Sequence, residues 1–556
     1  MKRKSFNLMF PKMSRIYPLL ILLLIGFCVL GGSLRNGFVW DDTALVMTYM
    51  PILSNKSIPN LLVKGFPFQH AAIGFFNFYY KPFAHIVYKI VYIFFGVSPL
   101  AYHAFQLIIH SACAFLVYSL FLLFFPKILA FFLSVVFLIH PINLEASIYT
   151  AALQDTLYLF FGLLALRTTF MRSNKVFLIL SSLCLLLSLL SKETGVVFIL
   201  LFPLFILLEK RERINKALLT SLIAFVTYLI LRFIAAHNVY DIQLLPSAIM
   251  SKSLLIRLLS VPKILLYYFQ TFFFPIHLSI DQHWLITTPT MSNFYIPFII
   301  DAIVILLLIL VSRLCRKDKK EQRAYILFMS WLTISLILHL HIIPLDMTVA
   351  DRWFYASSIG ILGVMGLLFI HIQNKISSKI LYTFFCIIFI TLSMRSIVRI
   401  QNWKDNLTLY LHDSDVHTNY DLENLIAGEY LLKNQNEEAI AHYVRSISFF
   451  PTTRALNNLG SLYNKIGQNE KSIEYYYQAL ALDKKQFEPY YNLATNLKKN
   501  NPQESKKILQ EGIQLFPTNL RLWSLLAEVE IQLGKPSNAV VIYDEIKRIQ
   551  KENRTN

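Results

Sequence analysis

The chain has 556 residues, 56% of them hydrophobic, and a mean hydropathy of +0.52, which excludes an ordinary water-soluble globular protein. Its formal net charge is +19, from 52 Lys and Arg against 33 Asp and Glu, but the basic residues gather in short loops between apolar runs. That placement reads as the cytoplasmic loops of a polytopic membrane protein and not as a nucleic-acid surface.

The first apolar run, 17–34, follows Lys2, Arg3, Lys4, Lys12 and Arg15, and its Gly31-Gly32-Ser33 end is a weak cleavage site, so it is expected to be a retained first span. A span needs about 20 apolar residues. Further candidates are 101–124, 128–143, 154–170, 176–190, 194–208, 217–236, 294–312, 324–343, 354–373 and 378–396. The basic clusters are the N-terminus, Arg167/Arg172/Lys175, Lys210/Arg211/Arg213/Lys216, Arg313 through Arg323, and Lys375/Lys379. Placing all of them in the cytoplasm predicts about eleven spans, with the N-terminus inside and the C-terminus outside.

Two stretches test this count. Residues 252–280 are apolar but carry Arg257, Lys263, Pro262 and Pro275, and are expected to lie at the interface or re-enter. As one helix, 176–208 would be about 50 Å long, against a hydrocarbon core of about 30 Å. It is basic at both ends, so it is expected to reverse on the outer side at Ser191-Lys192-Glu193. Five polar groups then share the outer face: Asp41/Asp42, His140/Glu145/Asp155, Lys192/Glu193, His339/His341 and Asp351/Arg352. Each alone also fits a structural turn. Their common side, beside a membrane, points to chemistry on a lipid-linked substrate.

The five cysteines are scattered, four of them (Cys28, Cys113, Cys184 and Cys386) inside apolar runs, with neither disulfide nor metal spacing. Beyond Asn402 the charge rises and a period of 33–34 residues appears. Ala427, Gly460, Ala494 and Ala527 recur at equivalent places, as do Ala439, Ser472 and Ala539, and Tyr443, Tyr476 and Tyr543. Small residues let paired helices approach and aromatics fill the gaps between pairs, which is a tetratricopeptide (TPR) pattern. The domains are accordingly 1–400, a transmembrane catalytic domain, and 401–556, an extracytoplasmic TPR domain. The fold class is all-α: a polytopic helix bundle followed by a TPR α-solenoid.

The order Phe38-Val39-Trp40-Asp41-Asp42, Tyr80-Lys81-Pro82, His140-Pro141 with Glu145, Ser191-Lys192-Glu193 with Gly195, Asp351-Arg352-Trp353-Phe354-Tyr355, then TPR repeats, resembles the transmembrane-and-TPR protein O-mannosyltransferases and their bacterial relatives, within the GT-C superfamily of glycosyltransferases. The resemblance covers nearly the whole chain. It implies a GT-C type bundle, a polyprenyl-phosphate-linked sugar donor, with mannose the family default, and transfer to a protein hydroxyl on the extracytoplasmic face. Asp41 matches the first acid of the loop-one pair and would be the base, with Asp42 orienting it or contacting the acceptor. Lys192, Arg352 and His140 are the candidates for the donor phosphate. Glu145, Glu193, Asp155 and Asp351 would orient cations or sugar hydroxyls. One base and one displacement predict inversion.

Two departures concern donor binding. Ala152-Leu153-Gln154-Asp155 lacks a cation that relatives often carry, and Arg352-Trp353-Phe354-Tyr355-Ala356-Ser357 lacks the usual proline. No cofactor is expected. Some enzymes of the superfamily use a divalent cation, but no dedicated cage is visible, and metal independence is the expectation. The partners are the lipid-linked donor, the bilayer and an acceptor or partner protein at the TPR domain, with no nucleic acid. The bacterial inner membrane fits the short loops better than the endoplasmic reticulum does. Two other readings stay open: a GT-C enzyme acting on a lipid or glycan acceptor, and a non-catalytic membrane-anchored TPR scaffold.

Overall fold

The computed structural model describes residues 16–63, 66–70, 75–171, 173–237, 249–250, 252–373 and 377–555. The basic residues of the first fifteen positions, Arg172 and Lys375, which entered the topology argument, lie outside the described residues. The chain parts into two compact units, Met1–Phe68 with Phe76–Val416, and Gln69–Phe75 with His417–Asn556.

Every stretch expected to span is helical, but the helices are not equivalent. Among the described residues, six are long and apolar enough to cross a membrane: Tyr17–Arg35, Pro99–Phe121, Asn174–Ser191, Arg211–Ala235, Met291–Cys315 and Lys379–Asn402. A seventh arises if Lys127–Ile139 and Pro141–Ile148, bent by 54° at His140, count as one. This is fewer than the eleven expected, for reasons of length and charge. Leu153–Thr168 has 16 residues, Val196–Glu209 has 14 and Ser357–Gln373 has 17, while Lys319–Ile337 opens on Lys319, Lys320, Glu321 and Arg323. Residues 254–273 break at Ser260 into helices of 6 and 13 residues, each too short to cross on its own. The sequence reading missed Pro82–Phe95, a 14-residue helix with Ala84, Val87, Tyr88 and Val91 buried along one face.

Close approach inside the bundle depends on small residues. A Cβ at Gly162 would meet the Phe198 ring at 2.1 Å, so Leu153–Thr168 and Val196–Glu209 could not pack as they do with alanine there. The chain is all-helical as expected, apart from one short strand pairing. Phe66–His70 and Phe75–Tyr79 pair as a two-stranded sheet, consistent with their aromatic content.

The loops of the first unit sort to its two ends. At one end Arg213 donates to the carbonyls of Thr169 and Met171 at 3.0 and 2.9 Å, Lys320 reaches that of Phe124 at 3.5 Å, and His371 meets Glu321 at 3.4 Å. The acid-rich turns meet at the other. The Asn406–Val416 helix belongs to the first unit, where Arg399 grips Asp413 with bonds of 2.5 and 3.0 Å and Asp413 accepts the Ile280 N–H at 2.8 Å.

The second unit is a run of paired helices, Tyr420–Leu432 with Asn436–Phe449, Thr453–Lys465 with Asn469–Leu482, Phe487–Leu497 with Pro502–Leu515, and Leu520–Gln532 with Pro536–Thr555. The turn inside three of the pairs needs a left-handed residue, supplied by Asn434 (φ 59°), Gly467 (81°) and Gly534 (74°). The third pair lacks one. There Asn501 stays extended at φ −143° and its side chain caps the second helix at Glu504 N.

Candidate functional site

Loop one is held in an unusual backbone. Trp40 has φ +53°, a conformation that costs a bulky residue about 1–3 kcal/mol and persists only when its surroundings demand it. Here they do. The Trp40 N–H donates to Asn406 Oδ1 at 2.8 Å, the indole stacks on Tyr149 with centroids 5.4 Å apart, and the Arg352 guanidinium lies 5.6 Å over the ring. The chain then enters a helical stretch that runs from Asp41 to Ser54 and takes a π-type turn at Ala44–Tyr49.

The two acids of the pair have different surroundings. Asp42 is fully buried, and its carboxylate accepts the backbone N–H groups of Ala151 at 2.6 Å, Thr150 at 3.3 Å and Val39 at 3.5 Å. Burial pushes its pKa well above the usual carboxylate range, although those three N–H groups favour the charged form. Asp41 is half-buried at the first turn of the stretch, where the N-terminal end of a helix favours a negative charge. Its charge reaches the Tyr49 phenol, which burial first and Asp41 second raise to about 12.

Glu145 and Arg352, 207 residues apart, form a two-point pair. The Arg352 backbone N–H donates to Glu145 Oε2 at 2.9 Å, and its guanidinium Nη1 donates to Oε1. Next to it, Asp351 Oδ1 accepts the Tyr267 hydroxyl at 2.5 Å, and Tyr267 in turn accepts from Gln282 at 2.9 Å. Burial, then the Glu145 charge, push the Asp351 carboxyl up to about 8.

On the third side, Lys192 Nζ bonds Asp155 Oδ1 at 2.6 Å, both groups being buried. Asp155 Oδ2 and Glu193 Oε2 are buried with no hydrogen-bond partner among the described residues. Burial alone would raise Glu193, but the Lys81 ammonium beside it holds its carboxyl below the usual range. Burial lowers Lys81 in turn, against the pull of Glu193. Arg352 feels the charge of Asp155, and Lys81 those of Asp155 and Lys192, so all three pairs belong to one electrostatic cluster.

The structure thus gathers Asp41, Asp42, Glu145, Asp155, Lys192, Glu193, Asp351 and Arg352 at the same end of the unit. His140 is there as well, but its ring is spent on backbone: Nε2 donates to the Phe272 carbonyl at 2.9 Å and Nδ1 accepts from Ile142 N at 3.2 Å, while the ring stacks on Phe272. That engagement pins the turn that carries Glu145. His339 stacks on Trp353 at 5.2 Å and bonds the Ser335 carbonyl at 3.0 Å, and His341 bonds that of Thr348 at 2.8 Å. Sequence reasoning quoted Trp40 in Phe38-Val39-Trp40-Asp41-Asp42 and Lys81 in Tyr80-Lys81-Pro82 without giving either a role, and passed over Tyr149 and Tyr267.

In the second unit, side chains of successive first helices are linked across repeats. Arg454 meets Asp421 at 3.2 Å, Asn458 donates to Asn424 at 3.4 Å, Asn492 donates to Asn457 at 2.9 Å, and Lys498 meets Glu528 at 2.8 Å.

The tetratricopeptide repeat family matches residues 453–486, which is the second helix pair. No curated protein matches this sequence. Among solved structures, the crystal structure of MamA is 15% identical with a TM-score of 0.25, covering 27% of this chain and 90% of that one. MamA 41-end from Desulfovibrio magneticus RS-1 is 11% identical with a TM-score of 0.25, covering 26% of this chain and 84% of that one. The crystal structure of YrrB, described as a TPR protein with an unusual peptide-binding site, is 14% identical with a TM-score of 0.24, covering 29% and 84%. Residues 420–555 are a TPR-type array of helix pairs.

Proposed function

We propose that the chain is a membrane glycosyltransferase of GT-C type. It moves a sugar, mannose by family default, from a polyprenyl-phosphate donor to a protein hydroxyl on the extracytoplasmic face. The observation that carries the reading is the division of labour in loop one: Asp42 is locked by three backbone N–H groups, while Asp41, one residue away, is half-buried next to Trp40, whose ring lies against the Arg352 guanidinium. The scaffold reading does not require a strained loop of this kind.

In this mechanism the acceptor hydroxyl gives its proton to the Asp41 carboxylate as its oxygen bonds the anomeric carbon. The bond from that carbon to the phosphate oxygen breaks in the same displacement, with inversion, and polyprenyl phosphate leaves. Lys192 and Arg352 steady the negative charge of the leaving group, with Lys81 added to them. Each of these cations already faces a carboxylate, so phosphate enters by sharing or displacing Asp155, Glu145 or Glu193. The same reading takes all eleven expected stretches as membrane-embedded, with the short ones buried in the bundle or tilted, and the TPR unit outside, in a bacterial inner membrane. The TPR unit binds the acceptor protein or a partner that delivers it.

The TPR match fits a second reading equally well, a membrane-anchored scaffold. Purified protein offered synthetic polyprenyl-phosphate-mannose and acceptor peptides decides between them. The enzyme reading expects transfer by wild type and its collapse in Asp41→Asn. Transfer by neither, with folded protein and several donors tried, gives the scaffold. Equal transfer by both keeps the enzyme and moves the base away from Asp41.

A further inference from the structure

Two of the peptide groups that grip Asp42 are themselves gripped from behind. The Thr150 N–H, which donates to Asp42 Oδ2 at 3.3 Å, belongs to the peptide group whose carbonyl is that of Tyr149. The Ala151 N–H, which donates to Asp42 Oδ1 at 2.6 Å, belongs to the next group, whose carbonyl is that of Thr150. The Gln106 side-chain amide donates to the Tyr149 carbonyl at 2.7 Å, and the Tyr88 hydroxyl donates to the Thr150 carbonyl at 2.7 Å. Each peptide group thus holds Asp42 at one end and is held by a side chain of a different helix at the other.

Both side chains are fixed for this task. Gln106 is buried on the Pro99–Phe121 helix, and its NH₂ group has a second acceptor, the Ala146 carbonyl, at 2.8 Å. Two carbonyls can be met by the amide nitrogen and not by the amide oxygen, so the side chain has one orientation. Tyr88 is buried on the Pro82–Phe95 helix, with its ring 6.5 Å from that of Tyr102. One turn before Gln106, on the same helix face, His103 Nε2 lies 3.4 Å from the Gly37 carbonyl, just ahead of Phe38-Val39-Trp40. That face therefore touches loop one and also the turn to which Asp42 is bonded.

A buried carbonyl needs a donor in any case. A donor on the carbonyl also strengthens the N–H of the same peptide group, because chained hydrogen bonds polarise one another. Here the two strengthened N–H groups converge on one carboxyl. We infer that Tyr88 and Gln106 are positioning residues for loop one: they set the direction and the donor strength of the two N–H groups that hold Asp42, and through Asp42 they set the place of Asp41. Both act through Asp42 and not on the substrate. The inference deepens the transferase reading and rests on it for the effect on transfer, but not for the grip on Asp42.

The test uses the full-length protein. Tyr88→Phe and Gln106→Met remove the two donors and nearly keep the volumes, and each is made alone and together with Asp42→Asn. Melting temperatures are read for all variants, and transfer from synthetic polyprenyl-phosphate-mannose is read as kcat and donor KM for the single variants. Each single variant is expected to lower the melting temperature, and to lower it by about half as much or less where residue 42 is already asparagine. Each is also expected to lower kcat by about ten- to a hundredfold with donor KM within about twofold, the pattern of a reacting group set out of place without loss of donor contacts. Tyr88→Phe, which keeps the ring, carries the test where Gln106→Met does not fold. Equal melting shifts in the two backgrounds overturn the inference, because a donor that only satisfies a carbonyl does not sense residue 42. A loss confined to donor KM overturns it as well. Coupling in the melts with no transfer by wild type removes the transferase reading and leaves the grip on Asp42 standing.

Discussion

The Asp42 carboxylate and the Ala151 N–H are joined by a 2.6 Å hydrogen bond across 109 residues of sequence. That bond fixes loop one on the turn that opens the Leu153–Thr168 helix. The neighbouring acid, Asp41, is half-buried at the first turn of the helical stretch that follows.

Asp42→Asn and Asp41→Asn should therefore fail in opposite ways. Asparagine at 42 keeps one acceptor oxygen and places an NH₂ against donor N–H groups inside a buried site. A cost of about 1–3 kcal/mol is expected, the range for a buried group left unsatisfied. Asp41→Asn should stay within about 0.5 kcal/mol of wild type in stability, as for a half-exposed position, and should lose transfer. Thermal unfolding in detergent, run beside the transfer assay, separates the two. Matched stability losses in both variants would remove the division of labour.

The Glu145–Arg352 pair is buried on both sides, with side chains 2% and 12% exposed. Glu145→Gln removes one charge and leaves Arg352 uncompensated in low dielectric, a change expected to cost about 3–5 kcal/mol. Arg352→Met alone leaves Glu145 in the same position. The double variant should recover much of the loss, because no unpaired charge then remains. Unfolding measurements on the four proteins give the coupling, and strictly additive losses would show that the pair does not act as a unit.

Asp351 provides a pH signature. Its folded pKa lies at about 8, above its ordinary 3.8. A carboxyl raised by folding stabilises the protein fully below its unfolded value, and that contribution drains away as pH rises through the folded value. Between about pH 4 and pH 8 the wild type is thus expected to lose stability relative to Asp351→Asn, which has nothing to titrate there. Melting temperatures across this window check it. Parallel curves would mean that Asp351 is ionised throughout, with Tyr267 and Arg399 outweighing burial.

Much of the TPR array is legible in the sequence because its information is local. A small residue recurs every 33–34 positions, and Ala427, Gly460, Ala494 and Ala527 lie on the first helix of each pair. The candidate site is legible only as a set of residue types on one side. Nothing near Asp42 in sequence announces that its partners are the N–H groups of Thr150 and Ala151, or that Arg352 rests on Trp40. The same holds for His140: a histidine before a proline gives no sign that Phe272, 132 residues away, takes its Nε2. Span counting from hydropathy found the long apolar helices but not Pro82–Phe95, and it overran the ends at Ile139 and Ile337, which are set by turns and not by where apolar residues stop.

The left-handed turns of the second unit give a prediction that does not depend on function. Gly467 has φ +81°, and a Cβ placed there meets nothing within 4 Å, so the backbone conformation alone resists substitution. Gly460 presents the reverse case: it sits in ordinary helix, and a Cβ there would come within 2.9 Å of the Tyr476 ring. Gly467→Val should cost about 1–2 kcal/mol from backbone strain, and Gly467→Asn far less, because asparagine tolerates this region, as Asn434 does one repeat earlier at φ 59°. Gly460→Ala should destabilise through the displaced ring, and combining it with Tyr476→Leu should relieve part of the loss. Hydrogen exchange on the full chain reads both effects within the second unit. If Gly467→Asn were as damaging as Gly467→Val, the turn would need glycine for a reason other than its left-handed backbone. If Tyr476→Leu gave no relief at Gly460, the two helices would be separated by something other than that ring.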